Sequence, residues 1–196
     1  MRGCLNYGYA EIKVQETIMA ILYEYHNTGD DSAVYIGIST GAFYAQTFTP
    51  VIAHTITSIK LLMYRAAGTP GIITVRIKAV DGSGHPTGPD LATGTTDGDT
   101  LTENTAGEWR EIALGVGFAL SVGVMYAFLP NAAVVTFPNT AYMRWRNDGV
   151  DGYTVGRQEY TSNGGTSWSD SEIATTDIMF EDWGDPAFKP WAIVID

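Results

Sequence analysis

Ile72-Ile73-Thr74-Val75-Arg76-Ile77-Lys78-Ala79-Val80 places Val75, Ile77 and Ala79 on one side of an extended chain and Thr74, Arg76 and Lys78 on the other. A period of two is what a strand with one face in a core and one in water requires. The ten residues that follow, Asp81-Gly82-Ser83-Gly84-His85-Pro86-Thr87-Gly88-Pro89-Asp90, hold three Gly and two Pro and predict successive turns without regular structure. A half-buried strand running into a turn-rich loop, with no helical period on either side, is the texture of an all-β chain.

The same reading extends outward in both directions. Residues 45–49 lead into a turn at Pro50, and 56–63 carry apolar groups on both faces, which predicts an interior strand. On the C-terminal side, 91–95 reads as a short edge strand. Residues 109–114 and 118–120 flank Gly115 and Gly117, and 124–129 forms a buried run. Residues 141–146 alternate before the turn Asn147-Asp148-Gly149, and 157–160 and 178–183 complete the series. Eight to ten short strands separated by turn signals predict a two-sheet antiparallel β-sandwich of jelly-roll type over residues 34–184. Unevenly placed long loops argue against an up-and-down barrel. Residues 1–33 form an N-terminal arm in which a short amphipathic helix and an irregular strand pair fit equally well. Residues 185–196 form a C-terminal tail that closes on the strand-like Trp191-Ala192-Ile193-Val194-Ile195.

Composition supports this class and removes others. Eleven Lys and Arg against 22 Asp and Glu give the 196-residue chain a formal charge of −11, which argues against a nucleic-acid binder, because phosphate affinity rests on cationic side chains. With 45% apolar and 17% charged residues the chain is too hydrophobic for the disordered class. Twenty-two Gly, 23 Thr and 12% aromatics favour strands and tight turns. Cys4 stands alone, so no internal disulfide forms. The longest apolar run near the N-terminus, residues 18–22, is shorter than the roughly 7–15 residues of a signal-peptide core, and no run approaches the ~18 of a membrane span. The expectation is synthesis in a host cytoplasm without a signal peptide.

Several motifs in order carry a resemblance. Gln46-Thr47-Phe48-Thr49-Pro50, Ile56-Thr57-Ser58-Ile59, Pro70-Gly71, Thr74-Val75-Arg76-Ile77, Gly84-His85-Pro86-Thr87-Gly88 and Leu91-Ala92-Thr93-Gly94 are followed by Leu120 to Ala127, Trp145 and Gly164-Gly165-Thr166-Ser167-Trp168. Together these resemble the choice-of-anchor and carbohydrate-binding-like jelly-roll modules of bacterial surface proteins and phage genomes, over residues 43–184. The resemblance implies an adhesion, glycan-binding or display unit without a fixed active site. Within it, Thr161-Ser162-Asn163-Gly164-Gly165-Thr166-Ser167-Trp168 resembles a sialidase Asp-box, with Asn163 in the place of the usual Asp. That motif implies a clamped hairpin turn with the Trp packed beneath it; one copy does not imply a propeller.

Three chemistries have candidate residues. Tyr142, Arg144, Trp145, Arg146, Tyr153, Arg157 and Tyr160 mix aromatic faces with polar groups as a glycan platform does, although the alternation equally fits a core Trp145 with Arg144 and Arg146 on the wet face, which is the commoner arrangement. Asp148 and Asp151 are the strongest candidates for a structural Ca2+, in a loop whose Asp and Gly are also what turns require. Glu159, Asp170 and Glu172 are the only carboxylates singled out for glycoside cleavage. No Gly-x-Ser-x-Gly elbow occurs, and His26, His54 and His85 are scattered, so catalysis and transition-metal binding are not expected. The functional expectation is therefore a non-enzymatic structural or display protein of a virion or extracellular assembly, joined to its partners through the terminal segments and adhering to surface glycans. The alternative is a stand-alone carbohydrate-binding module. Neither requires a cofactor.

Overall fold

The computed structural model describes residues 19–36, 41–132, 141–150, 152–169 and 176–187. Among these, twelve strands form two antiparallel sheets packed face to face as a β-sandwich. In chain order they are β1 (Ile21–His26), β2 (Ser32–Ile36), β3 (Phe43–Phe48), β4 (His54–Ala67), β5 (Ile72–Val80), β6 (Pro86–Asp97), β7 (Glu108–Leu120), β8 (Tyr126–Ala132), β9 (Tyr142–Asp148), β10 (Gln158–Thr161), β11 (Asp177–Ile178) and β12 (Phe180–Pro186). The seven-stranded sheet runs β1-β12-β4-β9-β11, with β2 paired to β9 and β7 to β4; the five-stranded sheet runs β10-β3-β8-β5-β6. The chain crosses from one sheet to the other at most connections, as it must when successive strands each bury one face against the opposite layer. No described helix is long and apolar enough to cross a membrane.

The strand quoted first forms over the residues its alternation marks: in β5, Ile73, Val75 and Ile77 are fully buried while Thr74, Arg76 and Lys78 line the outer face. The interior position expected for residues 56–63 is also found, since β4 pairs with β12, β7 and β9. A register shift between Ile56 and Ser58 moves the inward set, so that Ile56, Ile59, Leu61 and Met63 all reach the core.

Two segments differ from their sequence reading. Residues 86–90, expected as irregular loop, open β6. Two Pro are tolerated there because β6 is the sheet edge and its ladder to β5 is interrupted: Ala79 pairs with Thr87 and Lys78 with Asp90, leaving Gly88 and Pro89 as a bulge, Gly88 at φ +71°. The N-terminal arm contributes β1, paired to β12, so part of it belongs to the sandwich. The tail pentapeptide 191–195 lies outside the described residues.

The layers meet through aromatic rings from both. Phe128 stacks on Phe48 at 4.6 Å within its own sheet and meets Phe180 at 4.6 Å and Trp145 at 6.5 Å across the interior. Tyr153 meets Phe180 edge-on at 5.1 Å, and the Trp145 indole Nε1 donates to the Met179 carbonyl at 2.8 Å, so its burial leaves no donor unpaired. Where β6 passes β7, a Cβ at Gly94 would lie 2.2 Å from the Ala113 carbonyl oxygen. Gly94→Ala is therefore expected to cost about 1–3 kcal/mol by forcing the two strands apart, read as a lower urea midpoint with the slope unchanged.

A buried polar pair ties β4 to β12. His54 and Asp182 are both fully shielded; His54 Nδ1 lies 2.8 Å from the Ile52 carbonyl and Nε2 lies 2.8 Å from Asp182 Oδ2. A carbonyl only accepts, so Nδ1 carries hydrogen, and the Nε2···Oδ2 contact must itself hold a proton. Burial alone would depress His54, but the hydrogen bond and charge of Asp182 and the Ile52 carbonyl overcome it and hold the imidazole above its ordinary value. Burial pushes the Asp182 carboxyl up as well, against the pull of His54. Both directions say that the pair keeps one proton. Tyr23 of β1 lies flat on the imidazole at 3.8 Å, so this pair also seats the first strand.

Candidate functional site

The outer face of the five-stranded sheet is built from the alternate residues that the core does not use. In register, Lys78 sits beside Ala127, Arg76 beside Leu129 and Thr74 beside Asn131, while Arg76 pairs outward with Thr93 and Lys78 with Asp90. Beyond β8 the face continues through Phe43 and Ala45 of β3 to Glu159 of β10. Ala45 and Ala127 keep the middle of the face low, and both are fully covered although they point away from the core.

The loop of residues 81–85 is tied to Glu159 of the same face. Asp81 accepts backbone N–H groups from Ser83 at 2.8 Å and His85 at 3.0 Å, the His85 bond first among the causes that hold its carboxyl below the usual range. The loop is then fastened to the sheet by Glu159, which is fully buried: His85 Nδ1 donates to Oε2 at 2.8 Å and Arg157 Nε donates to Oε1 at 2.5 Å, while Arg157 Nη2 donates to the Ser83 carbonyl at 2.7 Å. A buried carboxylate with a guanidinium on one oxygen and an imidazole N–H on the other is a fixed post.

The facing wall is the Asp-box-like hairpin. Asn163 Oδ1 accepts from Ser167 N at 2.9 Å and Thr161 Oγ1 at 3.0 Å, and its Nδ2 donates to Ser167 Oγ at 2.8 Å, so Asn performs the clamp that the usual Asp would. Trp168 then meets Phe43 edge-on at 5.7 Å. Between this wall and the start of β6 lies a groove of about 400 Å3, lined by Phe43, Trp168, Arg76, Lys78, Asp90 and Asn131 over a floor that includes Leu129.

Polar groups in the groove are only partly engaged. Asp90 takes Lys78 Nζ on Oδ1 at 3.0 Å and Arg76 Nε on Oδ2 at 3.4 Å, and Lys78 also donates to the Gly88 carbonyl at 2.7 Å. The Trp168 indole N–H has no hydrogen-bond partner among the described residues. A second hollow of about 570 Å3 lies on the other side of the 81–85 loop, beside Thr49, Val80, Met125, Val155 and Arg157, but the guanidinium there is already committed to Glu159 and Ser83.

The residues singled out from sequence as a glycan platform do not share one surface. Trp145 is fully buried among the core aromatics, and Tyr153 is buried against Phe180, so neither offers a ring face to a ligand. Tyr160 packs on Tyr44 at 4.9 Å, next to the core. Tyr142, Arg144 and Arg146 point outward from the other sheet. There Arg144 lies 4.2 Å above the Tyr35 ring and donates to the Ala33 carbonyl, and Arg146 pairs with Asp30. Arg157 fastens the 81–85 loop and lines the second hollow, and none of the set lines the groove. The arrangement that puts Trp145 in the core and the two arginines on the wet face is the one found.

Asp148 accepts the Val150 N–H at 2.9 Å on one oxygen, and its other oxygen lies 3.7 Å from His26 Nε2; Asp151 lies outside the described residues. Among the described residues no three His, Cys, Asp or Glu side chains are grouped to hold a metal. Asp170 and Glu172 also lie outside the described residues. Arg76, Lys78, Phe43, Asn131 and Trp168 were not legible as one lining, because only the β10–β3–β8–β5 order brings four distant segments onto one face. No family model matches the chain, and no curated protein or solved structure does so either.

Proposed function

We propose that this chain is a non-enzymatic saccharide-binding β-sandwich, an adhesion unit of the jelly-roll kind its sequence resembles. The observation that carries the reading is the groove on the five-stranded sheet. Two aromatic side chains form one wall, and donors and a carboxylate stand on the opposite side. Sugar rings present apolar faces and polar rims, and a pocket of a few hundred Å3 with an aromatic wall and a few placed polar groups suits them. The hairpin that carries the aromatic wall is fixed before any ligand arrives by the Asn163 clamp, which lowers the ordering cost of binding. Glu159, the described member of the carboxylate trio, has both oxygens engaged by the side chains of His85 and Arg157, which supports binding over glycoside hydrolysis.

Display on a virion or extracellular assembly is the setting we favour for this activity. It rests on Val51, Ile52, Val122 and Val124, exposed apolar side chains on two adjoining loops joined by the Gly123 N–H to the Pro50 carbonyl. A sandwich that adheres through one face and attaches through one end needs both features.

The test is titration of the full chain with oligosaccharides that bind it on an array. Trp168→Ala is expected to weaken binding at least about tenfold, the usual cost of losing an aromatic anchor, with the far-UV circular dichroism unchanged. Unaltered affinity in that variant would place the sugar elsewhere and sink the groove assignment.

A further inference from the structure

The groove's electrostatics narrow the class of sugar. Arg76 and Lys78 share a single carboxylate, Asp90, so the groove carries one net positive charge on a chain whose total is −11. The engagement is also uneven within Arg76. Its Nε faces Asp90 Oδ2 at 3.4 Å, while its two terminal nitrogens have no hydrogen bond among the described residues. Arg76 is held along one edge by Asp90 and keeps the forked end free, the end whose parallel N–H groups match a carboxylate or sulfate. The Asn131 amide and the Trp168 indole, on the same lining, have no side-chain hydrogen bond among the described residues either. Among the residues lining the groove Asp90 is the only carboxylate, and it is already taken twice. Glu159, a further acid on the same face, is paired with the Arg157 guanidinium, which offsets its charge toward an incoming anion.

We infer that the groove selects acidic saccharides, seating the sugar's anionic substituent on the Arg76 fork beside Lys78 while the ring rests against Trp168 and Phe43. This rests on the saccharide-binding reading above and adds the ligand's charge to it. A neutral glycan would leave the Arg76 fork without a charged partner and gain only the aromatic contact. On a chain of net charge −11 the positive groove also works as selection by repulsion, because the surplus of carboxylates disfavours acidic sugars over much of the rest of the molecule.

An array pairing neutral oligosaccharides with their uronate-containing, sialylated and sulfated counterparts tests this on the full-length chain, followed by calorimetric titration of the best pair. Wild type is expected to prefer the acidic member at least about tenfold, with the preference shrinking as salt is raised. Arg76→Gln should remove most of that preference, read as the ratio of acidic to neutral affinity within the variant. Asp90→Asn should move it the other way, strengthening acidic binding, because it removes the one anion that competes for both cations; a merely structural Asp90 would give a loss. The carboxylated and sulfated arms identify the substituent. Binding of neutral and acidic sugars with equal affinity, lost in Trp168→Ala, overturns this inference and leaves the saccharide reading standing. Absence of binding to any sugar overturns both.

Discussion

Phe128→Ala is expected to lower the unfolding free energy by about 3–5 kcal/mol, the range for deleting a fully buried aromatic ring. Phe128 is wholly shielded and bridges the layers, touching Phe48 in its own sheet and Phe180 and Trp145 in the other. Its neighbours are rings held on paired strands, so they have little freedom to collapse into the space, which sets the cost at the upper part of the range. Domains have only about 5–15 kcal/mol of stability, so the variant should be close to half unfolded in modest urea. Phe118→Ala is the matched control. Phe118 is half-buried on β7 and meets Tyr126 edge-on at 6.1 Å, and its loss should cost distinctly less. Equal urea midpoints for the two variants would mean that Phe128 does not couple the sheets.

The second large effect is at Asp182. Asp182→Ala leaves His54 Nε2 buried against an empty space and is expected to destabilise the chain by about 3–5 kcal/mol, the cost of stranding one member of a buried polar pair. Asp182→Asn should be much milder, because an amide N–H can donate to the neutral imidazole while Nδ1 still donates to Ile52. The two variants also differ in their response to pH. His54 is raised above its ordinary 6.5 in the folded chain, so the stability it contributes is complete below about pH 6.5 and is lost as pH rises through the folded value. Asp182 is also raised, from 3.8, so its contribution too is complete below its ordinary value and is lost as pH rises through its folded value. Wild type should therefore lose stability on going alkaline by up to about 1.4 kcal/mol per pH unit, the slope of one proton, and Asp182→Asn should lose that dependence. Urea midpoints measured from about pH 6.5 upward check both statements; a flat wild-type profile would contradict the shared proton.

The fold was legible wherever one strand face is apolar and the other polar. Residues 72–80 formed a strand over their whole length, and the doubly apolar 56–63 proved interior for the physical reason that its pattern suggests. What could not be read was local chemistry overridden by sheet position. Pro86 and Pro89 look like loop residues until β6 is known to be an edge with a bulge. Tyr23-Glu24-Tyr25 lacks a clean period because its side chains answer to partners far away in sequence, His54 for Tyr23 and the Val51 N–H for Glu24. The site was harder still. Trp145 attracted attention because aromatic and arginine residues alternate around it, but that alternation is what a core strand with a wet outer face produces. Arg76 and Lys78 sat in the strand read most securely, as an ordinary polar face. Nothing in residues 72–80 says that a clamped hairpin and a loop fastened to Glu159 will flank that face on both sides.

The most direct test of the central claim, that the five-stranded sheet's outer face is where sugar binds, is a titration of the isotope-labelled chain with an acidic oligosaccharide, followed through its amide and indole resonances. The expected result is a set of saturable shifts confined to Phe43, Arg76, Lys78, Leu129, Asn131 and the Trp168 indole, with Tyr142 and Arg144 on the opposite sheet undisturbed. Shifts centred on Tyr142 and Arg144, or no saturable shifts from any acidic or neutral sugar, would contradict it.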